Sequence, residues 1–268
     1  AAFYGYGHSE HLIGEALKGV RLNSVIATKV GFLGAEGAQD FSPAHIRGSL
    51  ESSLKQLETD YVDLYQLHRP SLAALEADDR ILEVSEQLQR EGKTRALGIS
   101  LASPGDGPDA ITKFGFKAIQ VNFNLVDQRA LDIGLFNLCA QRDVGVIART
   151  PLCFGFLTGA YSKDTQYDPN DHRKNWSSDQ ITRWLEAGEL FSAAVGDEAG
   201  QTPAQMALRF CLSYDCLSTA IPGMLTVDHV EENLRASQMG SYSPRQLQAM
   251  EKVYQENTFF QGKRASAE

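Results

Sequence analysis

The stretch Val62-Asp63-Leu64-Tyr65-Gln66-Leu67-His68 is a short apolar run that ends on a histidine. Its length and its aliphatic and aromatic content are typical of a buried strand. Five further runs of this kind follow or precede it. The predicted strands are residues 24–29, 62–67, 96–100, 118–121, 144–148 and 217–221.

Amphipathic segments separate these strands. Apolar residues recur at helical spacing in residues 45–57, 72–89 and 130–142, and residues 203–212 begin with a proline after a threonine cap. Alternating strands and helices imply a parallel sheet with helical crossovers. Near-regular strand spacing favours an α/β (β/α)8 TIM barrel over an open sheet. No linker rich in Gly, Pro or Ser divides the chain, so we interpret residues 1–268 as a single domain.

Composition narrows the partners. A net charge of −9 argues against nucleic acid, which favours a basic face, and no apolar run approaches the ~20 residues of a membrane span. The four cysteines fit no zinc or redox spacing, which indicates reduced thiols and a cytoplasmic protein without a metal site. These cysteines are Cys139, Cys153, Cys211 and Cys216.

Three residues carry candidate chemistry. Tyr4 lies in a glycine-rich segment, and Lys29 and His68 end two of the predicted strands. A phenol, an ammonium and an imidazole suit carbonyl reduction: the phenol donates the proton, the cation lowers its pKa, and the imidazole orients the substrate oxygen. Tyr6 also precedes a glycine and competes for the acid role, although we favour Tyr4. His45 is expected at the surface.

The chain resembles the aldo-keto reductases along nearly its whole length. The resemblance rests on Tyr4-Gly5 followed by Ser9-Glu10, on Thr28-Lys29, and on residues 63–68. It implies an NAD(P)-dependent oxidoreductase that passes hydride between nicotinamide and a small aldehyde, ketone or sugar-like alcohol, with Tyr4, Lys29 and His68 as catalytic residues. In that family an Asp precedes the tyrosine by about five residues. Here it would fall before Ala1, so we expect an N-terminally truncated chain that lacks the first two barrel strands.

The same resemblance implies how NADP or NAD is held. Ser100 and Gln120 would hold the nicotinamide amide. The loop after the fifth predicted strand would face the pyrophosphate, and the segment after the sixth would hold the adenine end. The residues concerned are Arg149, Thr150, Pro151, Leu152, Gly155 and Leu157 in the first of these, and Gly223, His229, Glu232 and Asn233 in the second.

Two features depart from the family pattern. Arg149 stands where an aromatic residue usually stacks on nicotinamide, and it could stack its guanidinium or pair with a substrate anion. Residues 223–228 contain no Lys or Arg for the 2′-phosphate of NADP, so we expect a reduced NADP preference. The polar segment 161–177 is predicted to be a lid or a substrate wall.

Two other functions were weighed. A nicotinamide-binding regulatory or sensor protein with little turnover would keep the cofactor residues without using them for catalysis. A metal-dependent isomerase on the same barrel would need clustered carboxylates at strand ends, and the sequence offers none there.

Overall fold

The structure is a computed structural model that describes residue 1 and residues 4–34, 37–196 and 200–260. It contains two compact units. The first comprises residues 1–121 and 141–145, and the second comprises residues 122–140 and 146–268. Each is described below by itself.

The first unit is built on parallel strands that pair in chain order. They are β1 (Ala27–Val30), β2 (Val62–His68), β3 (Thr94–Ser100) and β4 (Ala118–Asn122). The helices of this part of the chain are α1 (His8–Ala16), α2 (Pro43–Gln56), α3 (Leu72–Ala77), α4 (Arg80–Arg90) and α5 (Gly107–Thr112).

The strand register fixes which polar residues meet. Lys29 pairs with Gln66, and His68 pairs with Ser100. Because the carboxyl ends of parallel strands share one edge, Lys29, His68 and Ser100 emerge together there. Helix α2 begins near this edge, since the Ser42 hydroxyl caps it by accepting the backbone N–H of His45.

The second unit carries a second parallel pair, β5 (Gly145–Arg149) and β6 (Leu217–Ile221). Its core centres on the fully buried rings of Phe123, Trp184 and Phe210. The helices of this part are α6 (Arg129–Asp132), α7 (Leu135–Arg142), α8 (Ser178–Val195), α9 (Pro203–Leu212), α10 (Val227–Gln238) and α11 (Pro244–Glu256).

The predicted α/β class is confirmed, and each of the six predicted strands is present with its ends moved by at most three residues. Two predicted helices are wrong as single helices. The segment 72–89 breaks at Asp78, whose carboxylate accepts the backbone and side-chain N–H groups of Arg80 and so starts a new helix. The segment 130–142 breaks at Gly134, which adopts a left-handed φ of 68°. The helix predicted at residues 203–212 is confirmed as Pro203–Leu212.

Candidate active site and cofactor pocket

The three candidate catalytic side chains lie together in the first unit. The Lys29 ammonium is 5.6 Å from the centre of the Tyr4 ring. The Tyr4 and His68 ring centres are 6.3 Å apart. Tyr4 begins a 3₁₀ turn, Tyr4–Gly7, in which Gly5, Tyr6 and Gly7 all have positive φ. This tight left-handed turn brings the phenol back over the end of β1.

A loop after β1 holds the His68 imidazole. The Phe32 ring packs edge-on against it at 4.7 Å, and the Gln39 side chain donates to the His68 carbonyl at 3.0 Å. Gly31 makes this path possible, because a Cβ there would lie 2.5 Å from two atoms of the Phe41 ring. The buried imidazole is therefore fixed in place by packing as well as by its strand.

A cavity of about 140 Å³ opens beside this cluster. Its polar lining includes Lys29, His68, Tyr6, His45 and Ser49. Tyr6 is 82% exposed and Tyr4 is 44% exposed, so either hydroxyl remains available to a substrate. The expectation that His45 is merely a surface residue was wrong: it is half-buried, lines the cavity, and lies 3.2 Å from the Ser49 hydroxyl.

Glu10 joins the elements that carry Tyr4 and Lys29. Its carboxylate is buried on α1 and accepts the Thr28 hydroxyl at 2.5 Å and the Ser53 hydroxyl at 2.9 Å. Successive strand residues face opposite sides, so Thr28 contacts these helices while Lys29 faces the cavity. Glu10 of the sequence signature therefore links α1 to β1 and α2, a contact that the sequence alone did not specify.

Asp63, in the histidine signature, anchors the start of β2. Its carboxylate accepts the Ile26 backbone N–H and the Arg21 guanidinium, both at 2.9 Å, and pairs with Arg95 at 3.0 Å. Burial acts to raise the pKa of Asp63, but these donors and charges outweigh it and hold that pKa below its usual value.

Ser100 ends β3, and it pairs with Gln120, which lies two residues before the end of β4. The Gln120 amide donates to the Ser100 hydroxyl at 3.3 Å, and both side chains are buried. This pair presents a hydroxyl and a carboxamide near the ends of neighbouring strands, as the resemblance implies for residues that hold a nicotinamide amide.

In the second unit, most of the predicted cofactor residues line one cavity of about 450 Å³. Leu157 is the exception, because it is buried beneath the same loop and does not line the cavity. The predicted residues on the cavity wall are Arg149, Thr150, Pro151, Leu152, Gly155, Gly223, His229, Glu232 and Asn233.

The loop after β5 is held in an unusual backbone conformation. Thr150, Cys153, Phe154 and Gly155 all have positive φ, between 46° and 94°. Thr150 is fixed from two sides, since its hydroxyl donates to the Asn122 side chain and its carbonyl accepts the Asn124 amide, both at 2.9 Å. Strain of this kind commonly marks a ligand-binding turn.

The cavity wall fits the pyrophosphate and the adenine end of the dinucleotide that the resemblance implies. Gly155 lies in a crowded part of the cavity wall, where a Cβ would be 2.9 Å from the Tyr161 ring. Because glycine has no side chain, the backbone at this position stays accessible to a ligand. The Asn233 amide nitrogen is buried and has no hydrogen-bond partner among the described residues. Helix α10 begins at the cavity, where Thr226 caps the His229 backbone N–H, and such a helix start favours an anion.

Among the residues of this cavity wall that sequence reasoning did not assign to the site are Tyr161 and Arg173. Both come from the polar segment 161–177, which is irregular apart from the 3₁₀ turn His172–Asn175. The sequence signal for Arg173 is a cation within the segment that is predicted to be a lid or a substrate wall.

Among the described residues, neither a metal-binding cluster nor a membrane-spanning helix is found. No group of three or more His, Cys, Asp or Glu side chains in the described ranges is arranged to hold a metal ion. None of the helices that the structure describes is both long enough and apolar enough for a bilayer crossing. All four cysteines lie among the described residues, and none of them forms a disulfide bond.

The chain is similar in sequence to known oxidoreductases and in structure to a solved aldo-keto reductase. The chain is 27% identical to the uncharacterized oxidoreductase YqkF of Bacillus subtilis, over 94% of this chain and 80% of that protein. It is 29% identical to the aldo-keto reductase yakc [NADP(+)] of Schizosaccharomyces pombe, over 87% of this chain and 71% of that protein. The solved structure of aldo-keto reductase AKR11C1 from Bacillus halodurans (holo form) matches with a TM-score of 0.75 at 28% identity, over 94% of this chain and 80% of that one.

These matches confirm the resemblance and the fold class, and a (β/α)8 barrel is consistent with them. The model of the aldo/keto reductase family matches residues 1–255. This chain therefore belongs to the aldo/keto reductase family and is an oxidoreductase of that type.

Proposed function

We propose that this chain interconverts a small carbonyl compound and its alcohol, with Tyr4, Lys29 and His68 as the catalytic residues and NADP or NAD as the hydride carrier. The observation that carries the proposal is the cluster of these three side chains, with Lys29 5.6 Å from the Tyr4 ring centre and His68 6.3 Å from it. Candidate substrates are aldehydes, ketones and sugar-like alcohols.

Tyr4 is the proton donor in the reductive direction. As its proton leaves, negative charge develops on the phenol oxygen, and the nearby Lys29 ammonium stabilises that charge. The residue is also accessible enough to meet a substrate, since 44% of it is exposed. In the oxidative direction the same oxygen takes the proton back.

His68 orients the substrate oxygen. Packing of Phe32 against the imidazole and the bond from Gln39 to the His68 carbonyl leave the ring little freedom. A fixed donor aimed at the carbonyl oxygen costs no reorganisation during the reaction.

Three groups of the cofactor would be held. The cavity walls around Gly155 would bind the pyrophosphate, and Glu232 with Asn233 would bind the adenine end; Ser100 and Gln120 would bind the nicotinamide amide. When bound, the nicotinamide supplies or accepts the hydride. The buried, unpartnered Asn233 amide nitrogen supports this assignment, and yakc of Schizosaccharomyces pombe is named for NADP(+).

The proposal is tested by following the oxidation of NADPH and NADH with a panel of aldehydes, ketones and sugars. We expect turnover in the parent and a loss of about 10²–10⁴ in kcat in Tyr4→Phe, because only the proton donor is removed. Cofactor Kd should not change in that variant.

Tyr6→Phe is the matched control, since it removes the neighbouring phenol and should keep most of the turnover. If Tyr6→Phe is the inactive variant, the acid is Tyr6. A parent that binds either cofactor but reduces no carbonyl would instead support the sensor function.

A further inference from the structure

Arg69 has a strained backbone directly after His68, where β2 ends. Its φ is 60°, in the left-handed region that non-glycine residues seldom adopt. The next residue is Pro70, and a proline restricts the residue before it to extended backbone. Strain of this kind persists only where the surrounding structure fixes it, and here it lies beside a candidate catalytic residue.

Hydrogen bonds on both sides of Arg69 fix this conformation. Its backbone N–H donates to the Ser100 carbonyl at 2.9 Å. The Gln39 side chain donates to the Arg69 carbonyl at 3.2 Å and to the His68 carbonyl at 3.0 Å. Ser100 ends β3, and Gln39 belongs to the loop after β1, so both neighbours of β2 hold Arg69 at the carboxyl edge of the sheet.

The Arg69 guanidinium has no partner among the residues that the structure describes. The side chain is half-buried, and its Nε is fully buried without a hydrogen bond. A buried donor that makes no hydrogen bond is costly, which indicates that a ligand supplies the acceptor. Other arginines of the first unit do pair with a carboxylate, among them Arg21, Arg47, Arg80 and Arg95.

The position of Arg69 relates it to the substrate. His68 lines the cavity of about 140 Å³, and consecutive Cα atoms are about 3.8 Å apart, so the Arg69 side chain starts beside the residue that is proposed to bind the substrate oxygen. An arginine is long enough to meet an acidic group a few bonds from the reacting carbonyl. The chain has a net charge of −9, which repels anions in general, so an anionic substrate needs a local cation here.

We propose that Arg69 is a substrate-binding residue that pairs with a carboxylate, and that the preferred substrates are carbonyl compounds that also carry a carboxylic acid. The inference rests on the function proposed above and narrows its substrate class. A carboxylate is favoured over a phosphate because one guanidinium supplies one positive charge, which a carboxylate balances and a doubly charged phosphate does not.

The experiment compares kcat/KM for succinate semialdehyde and for its methyl ester, two aldehydes that differ by one negative charge. We expect the parent to prefer the acid. Arg69→Asn is the test variant, because asparagine removes the charge and tolerates a left-handed φ. It should lose about tenfold or more in kcat/KM on the acid, mainly through KM, and less than about twofold on the ester. The parent's preference for the acid should shrink as salt is added.

The matched control is Arg90→Gln. It removes the same charge from an exposed residue at the end of α4, which precedes the start of β3 and so lies at the opposite end of the strands. Its kcat/KM should change less than about twofold on either aldehyde. Glyceraldehyde 3-phosphate and glyceraldehyde form a second pair of probes. A larger Arg69-dependent preference for the phosphate than for the carboxylate would overturn the assignment to a carboxylate.

A thermal unfolding curve accompanies each variant. If Arg69→Asn unfolds early, Arg69→Lys takes its place: it keeps the charge without the forked geometry, and an intermediate loss on the acid with none on the ester supports the contact. A parent that does not prefer the acid, or an equal loss on acid and ester in a folded Arg69 variant, would overturn the inference while leaving the proposed function intact. A parent that turns over neither these aldehydes nor the panel described above would overturn both.

Discussion

Replacing Asp63 by asparagine should destabilise the first unit in a strongly pH-dependent way. The substitution keeps the size of the side chain but removes the charge that Arg21 and Arg95 face. In the parent, Oδ2 of Asp63 accepts hydrogen bonds from both the Ile26 N–H and the Arg21 guanidinium. The substitution replaces one carboxylate oxygen with an amide nitrogen, which cannot accept these bonds. The signature residue is therefore a structural anchor for the strand that ends at His68.

The magnitude follows from these contacts. Hydrogen bonds to a charged group contribute about 1.5–3 kcal/mol each, but the two strong bonds share one oxygen and will not add in full. Arg95 is mostly exposed, so its pair adds less than about 1 kcal/mol. We expect Asp63→Asn to lower the free energy of unfolding by about 3 kcal/mol near pH 7, which for a chain of this size lowers Tm by roughly 6–12 °C.

The sign of the pH dependence can be worked out from the pKa of Asp63. Because folding lowers that pKa, the carboxylate stabilises the fold at any pH above its unfolded value of about 3.9, and this contribution is lost as pH falls through the folded value. The difference between parent and Asp63→Asn should thus be constant from about pH 5 to 7 and shrink below pH 4.

Urea denaturation of the parent and of Asp63→Asn across this pH range measures the difference in their free energies of unfolding. Asp60→Asn is the control, since it removes one negative charge from an exposed position three residues earlier. A difference between parent and Asp63→Asn below about 1 kcal/mol near pH 7, or one that persists unchanged to pH 3, would refute this reasoning.

Two further predictions concern the loops. Gly31→Ala should cost about 1–3 kcal/mol of unfolding free energy and reduce turnover, because its Cβ would meet the Phe41 ring at 2.5 Å; Gly34→Ala, with open space around it, should do neither, and equal Tm losses would contradict this. Leu225→Arg should raise NADPH affinity about tenfold relative to NADH, since Leu225 is 90% exposed on the cavity wall and a guanidinium there can bind a 2′-phosphate; an equal gain for both cofactors would show that the added charge acts elsewhere.

The strand-end residues of the site were readable from sequence for a physical reason. An apolar run followed by a polar residue marks the end of a buried parallel strand, and all such ends meet at one edge. Lys29 and His68 were identified in this way, whereas Ser100 and Gln120 were assigned through the family resemblance. The strand register pairs Lys29 with Gln66, His68 with Ser100, and Ser100 with Gln120. For Lys29 and His68, the local sequence pattern is sufficient to predict the tertiary position.

Other residues could not be read in this way, because their positions depend on packing between distant segments. His45 reaches the small cavity only because the Ser42 cap starts α2 there. Arg173 reaches the large one because Phe154 and Asp171 hold its guanidinium. Neither residue belongs to a periodic pattern, so its sequence neighbours do not indicate where its side chain lies. The break in the predicted helix at Asp78 instead has a local origin, in one hydrogen-bonded turn between Asp78 and Arg80.

Residues next to the strand ends and residues of the loops also differ in how well they tolerate substitution. Thr28 and Glu10 are buried beside Lys29, and the Thr28 hydroxyl donates to the Glu10 carboxylate. A substitution of either residue, made to alter the candidate catalytic cluster, therefore also removes a buried hydrogen bond. Leu225 is exposed on the cavity wall, where substitutions usually change stability by less than about 0.5 kcal/mol. We therefore expect cofactor preference to shift through single loop residues while the proposed catalytic residues Tyr4, Lys29 and His68 are left unchanged. For this reason Leu225→Arg is expected to alter the ratio of Kd values without altering Tm.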